Sequence, residues 1–380
     1  MAIITVNDAV INMWIHEHQN WPNFTWDDNA LTTKLADIRY RQGKLLGQMV
    51  SLGFQLRQEA SLNTLTNDIV KSSAIEGENL NSQEVRSSIA RRLGIDIAGL
   101  VPASRDVEGI VEVMLDATLQ FSSPLTKERL FDWHAALFPT GRSGMHKITV
   151  GAWRTLEVGP MQVISGPIGR EKVHYEAPSA DKLEKEIQNF LDWFNNEYSL
   201  DLVLKAGIAH LWFVTIHPFE DGNGRIARAI GDMMLTRADN TSERFYSLSS
   251  QIEAERQDYY KQLEKQQRGS PEITEWLEWF LNCLRRAISN AELTLCKVRF
   301  KSKLWDKINQ KPVNERQRFI INRMLEDSFE GYMNTSKYAR MAKCSNDTAL
   351  RDIQDLRDRN IFIQNPGKGR STSYRLIDNV

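Results

Sequence analysis

The sequence is poor in cysteine and has no long hydrophobic run. Its three cysteines, Cys283, Cys296 and Cys344, are spaced too widely for a disulfide framework or a metal-binding motif. We therefore expect a reducing compartment, with the cytoplasm as the default. No segment approaches the roughly 20 apolar residues of a membrane-spanning helix, and the first residues lack the basic start of a signal peptide. The sequence predicts neither export nor a membrane anchor.

Neither sign of charge is in excess over the whole chain. Lys and Arg total 48 and Asp and Glu total 49, a net charge of −1, which excludes a large uniform field for nucleic acid or an anionic membrane. The balance is uneven, because residues 297–380 carry 18 basic and 10 acidic residues, a net charge of +8. The composition is that of a globular protein, and 380 residues predict two or three domains.

Helical periodicity dominates, and alternating strand-like patterns are short and few. We therefore expect a mainly all-α fold. The predicted helices span residues 29–56, 61–75, 82–93, 107–120, 126–137, 181–197, 201–216, 224–238, 252–267 and 271–303. Residues 150–178, with β-branched residues, glycines and prolines, predict a β-hairpin flap on this helical body.

A compact terminal unit is predicted from about residue 313. It comprises three helices and then two strands, over residues 315–327, 335–341, 346–359, 361–364 and 371–376. This is the element order of a winged helix. The predicted recognition helix carries Asp347, Asp352, Asp355 and Asp358. Four carboxylates facing the phosphates of DNA would weaken binding, so a protein-interaction or dimerisation module is favoured. The basic segment 367–372 leaves DNA binding as an alternative.

One segment, HPFEDGNGRIAR at residues 217–228, concentrates chemically active residues. It lies between two predicted helices and therefore forms a tight loop that enters a helix N-terminus. Gly222 and Gly224 let backbone N–H groups approach an anion, and Asn223 can donate from its side-chain amide. Arg225 and Arg228 lie on one helix face, where they can bind successive phosphates.

Two further residues of this loop indicate a reaction. Asp221 lies beside the glycines, where a carboxylate would repel phosphate unless a bridging Mg²⁺ neutralised it. His217 can accept a proton near neutral pH, as a general base for a hydroxyl nucleophile must. Together these residues predict a nucleotidyl-transfer site. A plain turn between helices is the alternative, which the combination of base, acid, glycines and arginines disfavours.

The segment matches the Fic family signature, H-x-F-x-[D/E]-G-N-G-R-x-x-R, at every defined position, so the chain resembles this family. The resemblance implies the Fic (Fido) helical fold. It also implies transfer of AMP from ATP to a Tyr, Thr or Ser hydroxyl of a target protein, with release of pyrophosphate. By the same resemblance, His217 deprotonates the hydroxyl, Phe219 anchors the loop, and Asp221 holds Mg²⁺ between the α- and β-phosphates.

The resemblance also implies the contacts to the nucleotide. Asn223 and the amides of the two glycines would bind phosphate oxygens, while Arg225 would meet the β-phosphate and Arg228 the γ-phosphate. The flap at residues 161–166 would align the target segment by strand pairing. The other residues placed around ATP are Val163, Ile164, Ser165, Tyr259 and Tyr260. Ordinary packing between helices is the alternative role of Tyr259 and Tyr260.

Upstream, Ser72-Ser-Ala-Ile-Glu76-Gly77 fits the pattern [S/T]-x-x-x-E-[G/N], which marks an inhibitory helix in Fic proteins. The resemblance implies that Glu76 pairs with Arg228 where the γ-phosphate should lie, so that ATP binds with a misaligned α-phosphate. An arginine already paired with a carboxylate cannot also bind a phosphate. The chain is therefore similar to the class with an N-terminal inhibitory helix.

Four parts are predicted along the chain. They are an N-terminal helical region at 1–105 with the inhibitory helix at about 65–77, a Fic core at 106–295, a basic linker at 296–312 and a winged helix-turn-helix domain at 313–380.

The favoured function is an autoinhibited protein adenylyltransferase that uses ATP and Mg²⁺ and modifies an unidentified target and itself. One alternative is a DNA-binding regulator with a nucleotide-sensing Fic core, which contacts DNA through residues 313–380. Another keeps the fold and changes the chemistry to phosphate transfer, another nucleotide donor, or removal of AMP with Glu76 orienting water. The intact Gly224 and Arg225 favour AMP transfer. A homodimer stays open, and no membrane partner is expected.

Overall fold

Helices dominate the computed structural model, which describes residues 13–97, 99–167, 169–325, 329, 331–366 and 372–377. The helices are α1 Asp28–Val50, α2 Phe54–Ile75, α3 Ser82–Leu93, α4 Arg105–Leu119, α5 Lys127–Leu137, α6 Leu183–Asn196, α7 Leu202–Ile216, α8 Asn223–Asp239, α9 Leu248–Ala254, α10 Arg256–Gln267, α11 Thr274–Gln310, α12 Glu315–Met324, α13 Thr335–Ala342 and α14 Asn346–Asp358. The predicted mainly helical fold is confirmed.

Six short strands form three antiparallel hairpins within the described residues. The strands are β1 Arg142–Ser143, β2 His146–Lys147, β3 Gln162–Ser165, β4 Lys172–Glu176, β5 Phe362–Gln364 and β6 Tyr374–Leu376, paired in chain order. The hairpin of β3 and β4 lies within the segment predicted as a flap, and its register shifts between Val163 and Ile164.

The chain divides into two units, Met1–Ala291 and Glu292–Val380. In the first unit, α7 is apolar on all sides, and every residue from Val203 to Ile216 is buried, as expected for a central core helix. Helix α8 packs along α7, and α1, α2, α4 and α5 also contact α8. The loop that joins these two helices, residues 217–222, is therefore mounted on the core of the unit.

The second unit has its own core, which includes Leu304, Ile308, Tyr338, Ile353 and Phe362. Helices α12, α13 and α14 precede the hairpin of β5 and β6, in the order that the sequence predicts. Residues 367–371 of the predicted wing lie outside the described residues, and the assignment as a winged helix stays a prediction. Among the described residues of both units, none of the helices combines the length and the apolar character needed to cross a membrane.

Several helix boundaries differ from the prediction. The helix predicted over 29–56 ends at Val50, and the helix predicted over 61–75 begins at Phe54, with Gly53 as its N-cap. The helix predicted over 252–267 is split at Glu255, whose carboxylate is held 2.5 Å from Arg286 Nη2, a long-range contact that local periodicity does not reveal. Helix α11 continues to Gln310 through most of the segment assigned to a basic linker, since Leu304 and Ile308 belong to the core of the second unit.

A close approach of α4 to α5 depends on Gly109. A Cβ at this position would lie 1.8 Å from the backbone oxygen of Ala136, so alanine forces the two helices apart. We predict that Gly109→Ala lowers the free energy of unfolding by about 1–3 kcal/mol in urea denaturation followed by circular dichroism.

Gly43 in α1 provides the matched control, because a Cβ there would meet nothing within 4 Å. Gly43→Ala should raise the free energy of unfolding by roughly 0.5–1 kcal/mol, the helix propensity gain of alanine over glycine. Equal stabilisation by both substitutions would contradict the close approach of α4 and α5.

Candidate active site

Left-handed backbone at both ends shapes the loop between α7 and α8. His217 ends α7 with φ 50°, and Gly222 begins α8 as its N-cap with φ 82°. Glycine is required at 222, because a Cβ there would also lie 2.9 Å from Cε2 of Phe138. The left-handed conformation costs His217 roughly 1–2 kcal/mol. Its backbone is fixed by a bond from its N–H to Phe213 O (3.0 Å) and one from Arg154 Nε to its carbonyl (2.8 Å).

The imidazole of His217 is oriented by α7. Its Nδ1 lies 3.1 Å from the carbonyl oxygen of Val214, so Nδ1 carries the hydrogen and Nε2 keeps its lone pair. Burial lowers the pKa of His217 below its ordinary value of 6.5, although the Val214 carbonyl opposes this shift. A neutral imidazole with a free Nε2 acceptor is the form in which histidine acts as a general base.

Asn223 and Phe219 hold the loop together from inside. The Asn223 side chain accepts from the Phe219 N–H (2.9 Å) and donates to the Phe219 carbonyl (2.8 Å). The Phe219 ring is buried and stacks on His134, with ring centroids 4.1 Å apart. The Asn223 amide thus braces the loop in this structure, and the contact to phosphate expected for it stays a prediction. Phe219 lies in the core, as an anchor of the loop would.

Arg228 lies buried at the interface of α8 with α2. Its Nη2 is 2.7 Å from Oε1 of Glu76, and Nε and Nη2 donate to Oγ (2.8 Å) and the carbonyl oxygen (2.9 Å) of Ser72. Burial opposes the charged form, but the Glu76 carboxylate outweighs it and raises the pKa of Arg228. The side chain is only 2% exposed, and its Nη1 has no hydrogen-bond partner among the described residues. The structure therefore joins Ser72, Glu76 and Arg228 in one contact.

Glu76 also lies over the N-terminus of α8. A Cβ built on Gly224 would be 2.1 Å from Glu76 Oε1 and 3.2 Å from Arg228 Nη1. The N-terminal end of a helix, with its free N–H groups and positive dipole, is where an anion binds. The Glu76 carboxylate thus lies at a helix end that favours an anion. Gly77, with φ 86°, lets the chain turn away directly after Glu76.

A second acid of the same segment was missed by the sequence analysis. Glu78 Oε2 lies 2.7 Å from Arg225 Nη1, so Glu76 and Glu78 each pair with one arginine of the loop. Burial raises the pKa of Glu78, the Arg225 guanidinium opposes this, and the neighbouring Asp221 carboxylate adds to it. The Glu78 side chain is still 45% exposed. The Glu-Gly-Glu spacing at residues 76–78 was the available signal.

Asp221 contributes a single carboxylate to the site. It accepts hydrogen bonds from the hydroxyl of Ser143 and from the Gly222 N–H, 2.6 Å away. No group of three or more His, Cys, Asp or Glu suited to a metal occurs in the part of the chain that the structure describes. One carboxylate at an anion-binding helix end fits a Mg²⁺ ion that takes its remaining ligands from phosphate and water.

Two residues outside the signature hold the backbone of the loop, and neither was identified from the sequence. His134 donates from Nε2 to the Asp221 carbonyl (3.2 Å) and accepts at Nδ1 from Gly151 N–H (3.1 Å), while burial lowers its pKa to about 4. Arg154 is buried and donates to the carbonyls of His217 and Pro178. They stabilise the loop by contacts that only the tertiary structure brings together.

The predicted tyrosines take two different positions. Tyr259 is buried, and its hydroxyl is 2.8 Å from Nε2 of His210. Tyr260 is 37% exposed, and its hydroxyl donates to the carbonyl of Ile75 (3.0 Å) and lies 3.4 Å from Oε2 of Glu76. Tyr260 therefore contacts the same segment that pairs with Arg228.

The three flap residues lie on β3, and Ile164 is 53% exposed there. Ser165 Oγ is 2.6 Å from His174 Nε2 on the neighbouring strand. Within the described residues, no hydrogen bond joins Val163, Ile164 or Ser165 to the loop at 217–228. The structure thus places residues 72–78 in contact with the signature loop. The contacts of the flap with a nucleotide or a target segment stay predictions.

Comparison with protein families gives two matches along the first unit. The model described as the Fic/DOC family matches residues 124–235, which include α5, the flap, α7 and most of α8. A model described as a domain of unknown function, DUF4172, matches residues 14–95.

Curated relatives carry the name protein adenylyltransferase. Protein adenylyltransferase fic-1 of Caenorhabditis elegans is 29% identical over 170 residues, which are 43% of this chain and 30% of the relative. Protein adenylyltransferase Fic of Nematostella vectensis is 25% identical over 225 residues, 58% of this chain and 47% of the relative. The chain thus spans less than half the length of these relatives.

A solved structure supports the fold. A Fic family protein from Desulfovibrio desulfuricans G20 matches with a TM-score of 0.50 and 20% identity, over 91% of this chain and 97% of that protein. At this identity the likeness concerns the fold alone. Together with the complete signature at residues 217–228 and its geometry, the match over residues 124–235 identifies this part of the chain as a Fic/DOC family domain.

Proposed function

We propose that the chain is an autoinhibited protein adenylyltransferase. It transfers AMP from ATP to a Tyr, Thr or Ser hydroxyl of a target protein and releases pyrophosphate. The observation that carries this proposal is the loop at 217–222, which presents the free Nε2 of His217 at one end and an anion-binding helix end with two arginines at the other. The names of the curated relatives support the same activity.

Phosphate binding follows from the N-terminus of α8. The Gly224 N–H binds a phosphate oxygen, and the Gly222 N–H does so once it leaves the Asp221 carboxylate to which it donates in this structure. Arg225 binds the β-phosphate, and Arg228 binds the γ-phosphate. Asp221 holds Mg²⁺, which neutralises phosphate charge when it is bound. Positioning and charge stabilisation of this kind are the main contributions of a protein to phosphoryl-type transfer.

His217 supplies the base. Its Nε2 takes the proton of the target hydroxyl as the hydroxyl oxygen forms a bond to the α-phosphorus. The bond from the α-phosphorus to the oxygen that bridges to the β-phosphate breaks, and pyrophosphate leaves. The Val214 carbonyl holds the hydrogen on Nδ1 throughout, which keeps Nε2 as the accepting atom.

Glu76 inhibits this reaction by occupying Arg228. A buried guanidinium needs an anionic partner, and Glu76 and the γ-phosphate compete for it. Ser72 strengthens the inhibited arrangement by two hydrogen bonds to the same arginine. While Glu76 is bound, the triphosphate cannot extend to Arg228, so the α-phosphate is not aligned for attack.

The substrate sites complete the proposal. The hairpin of β3 and β4 receives the target segment as an added strand, with Val163, Ile164 and Ser165 toward the nucleotide. Tyr259 and Tyr260 border the adenosine. The chain itself is one of its targets, and the cytoplasm is the expected location. Support for the tyrosine assignment comes from the contact of Tyr260 with the segment that carries Glu76.

Removing Glu76 should activate the enzyme. We predict that Glu76→Ala raises AMP transfer by roughly 10- to 100-fold, because a misplacement of the reacting atoms by about 1 Å costs about that factor. The increase is measured as labelled protein formed from α-labelled ATP with Mg²⁺, and as added AMP in the intact mass.

The matched control is Glu59→Ala. Glu59 lies on the same helix α2 and pairs with Arg86 at 2.7 Å, far along the chain from Glu76. It should leave the labelling rate at the wild-type level. Equal labelling by wild type, Glu59→Ala and Glu76→Ala would overturn the inhibitory role of Glu76.

The base assignment predicts a pH profile. Burial lowers the pKa of His217 below 6.5, and the neutral imidazole is the active form. Activity should therefore be retained as the pH falls to 6.5 and be lost only below it. The measurement is kcat/KM of the Glu76→Ala variant between about pH 5 and pH 8.

In the same background, His217→Ala should abolish labelling at every pH. Persistent labelling, or loss of activity already above pH 6.5 in the variant that retains His217, would remove the assignment of His217 as the base.

A further inference from the structure

Helices α13 and α14 of the second unit form a helix-turn-helix. Residues 343–345 join them, and Lys343 makes the turn with a left-handed backbone (φ 50°). Ser345 caps α14 by accepting from the Thr348 N–H at 3.2 Å. The inner face of α14, with Ala349, Ile353 and Leu356, is buried in the core of the unit.

The opposite face of α14 is exposed in a regular pattern. Over the first nine residues of the helix, the exposed ones are Asn346, Asp347, Leu350, Arg351 and Gln354, and Arg357 and Asp358 are exposed at its C-terminal end. The first five stand at positions 1, 2, 5, 6 and 9 of the helix, hence on one side of its N-terminal half. In a DNA-binding helix-turn-helix, the N-terminal residues of the second helix are the ones that contact base edges in the major groove.

Asp352, one of the four acids of α14, is part of the fold and does not face outward. It is 6% exposed and accepts from Arg316 Nε (2.9 Å), Asn314 Nδ2 (2.9 Å) and the hydroxyl of Tyr338 (3.1 Å). Burial opposes ionisation, but the hydrogen bonds from Arg316, Asn314 and Tyr338 outweigh it and lower the pKa of Asp352. Asp352 thus links α12, α13 and α14.

Asp355 and Asp358 are also paired. Asp355 accepts from Gln317 Nε2 (2.8 Å) and Arg359 Nε (3.1 Å), and Asp358 lies 3.2 Å from Arg357 at the C-terminal end of α14. The sequence argument against DNA binding assumed that all four carboxylates of α14 face the phosphates. The structure leaves one, Asp347, on the exposed N-terminal face.

Basic side chains lie on this face and on the preceding helix. Arg351 on α14, and Arg340 and Lys343 at the C-terminal end of α13, are exposed, and none of the three forms an ion pair within the described residues. Residues 297–380 carry a net charge of +8. The charge of the surface is therefore complementary to a polyanion.

The chemistry of the exposed face distinguishes DNA from an acidic protein. Arginine pairs with guanine, asparagine and glutamine with adenine, aspartate with cytosine, and an apolar side chain contacts the thymine methyl group. Each of the five exposed residues has a counterpart in this set. A protein-docking face is instead enriched in aromatic and apolar side chains at its centre, and this face offers Leu350 as its one apolar residue.

We propose that the second unit binds duplex DNA, with the N-terminal half of α14 in the major groove. Arg351 and Gln354 contact base edges, while Arg340 and Lys343 contact the flanking phosphates. The proposal is separate from the transferase activity and does not depend on it.

The test uses the full-length chain and a fluorescent random-sequence DNA duplex of roughly two helical turns. Fluorescence anisotropy gives the binding constant from about 50 to about 200 mM NaCl. The double variant Arg340→Ala/Lys343→Ala should reduce the slope of log K against log salt by about 1.8, since each phosphate contact contributes about 0.9. Arg351→Ala should weaken binding to sequences selected by the wild type by roughly 5- to 150-fold, the value of one bidentate base contact.

Lys182→Ala/Lys185→Ala provides the matched control, since it removes the same charge from exposed positions of the first unit. Its salt slope should equal that of wild type, and unchanged melting temperatures establish that all variants are folded. Absence of binding at the lowest salt, or an unchanged slope in the Arg340/Lys343 variant, would overturn the proposal. So would equally tight binding of polyglutamate or of an RNA duplex, whose major groove is too narrow for a helix.

Discussion

The ion pair between Glu76 and Arg228 is the contact on which the proposed inhibition depends. Arg228 is buried against α2, and a buried guanidinium without an anion would be strongly destabilising. Glu76 supplies that anion from the end of α2, and Ser72 completes the hydrogen bonds one turn earlier. The carboxylate lies over the N-terminus of α8, a helix end that favours an anion. The arrangement that we propose to be inhibited is thus also the stable packing of α2 on α8.

The rest of the first unit makes this competition possible by fixing the loop. Helix α7 is buried along nearly its whole length, so it is a rigid support for His217. Asn223 and Phe219 close the loop from inside, and Arg154 ties its backbone to Pro178. The imidazole and the N-terminus of α8 are therefore held at fixed separation, and the proposal assigns to Glu76, on an adjoining segment, the role of the group that the nucleotide displaces.

The sequence predicts the parts of this site that are contiguous. The signature at 217–228 lies on one loop and one helix, and its residue types carry their chemistry with them. The pairing of Glu76 with Arg228 was implied by resemblance and is present as a contact. The Glu-Gly-Glu spacing at residues 76–78 marks Glu78 as a second acid, but it does not reveal the pairing with Arg225, which lies 147 positions away along the chain. Local patterns likewise did not predict that His134 and Arg154 hold the backbone of the loop.

The same limit explains the errors. Residue type did not predict that the Asn223 amide donates to the Phe219 carbonyl and braces the loop. The acids of α14 looked alike in the sequence, and only the packing of α12 and α13 shows that Asp352 is internal. Periodicity predicted most of the helices, whereas it did not predict the break at Glu255, whose carboxylate contacts Arg286. Residue type predicted chemistry, and tertiary contacts decided which groups were available for it.

The most direct test of the account compares the affinities of ATP and ADP for the wild type and for Glu76→Ala by isothermal titration calorimetry. Of the two nucleotides, only ATP carries the γ-phosphate that competes with Glu76 for Arg228. The account predicts that the substitution tightens ATP binding and leaves ADP binding unchanged. An equal change for both nucleotides, or no change for ATP, would contradict it.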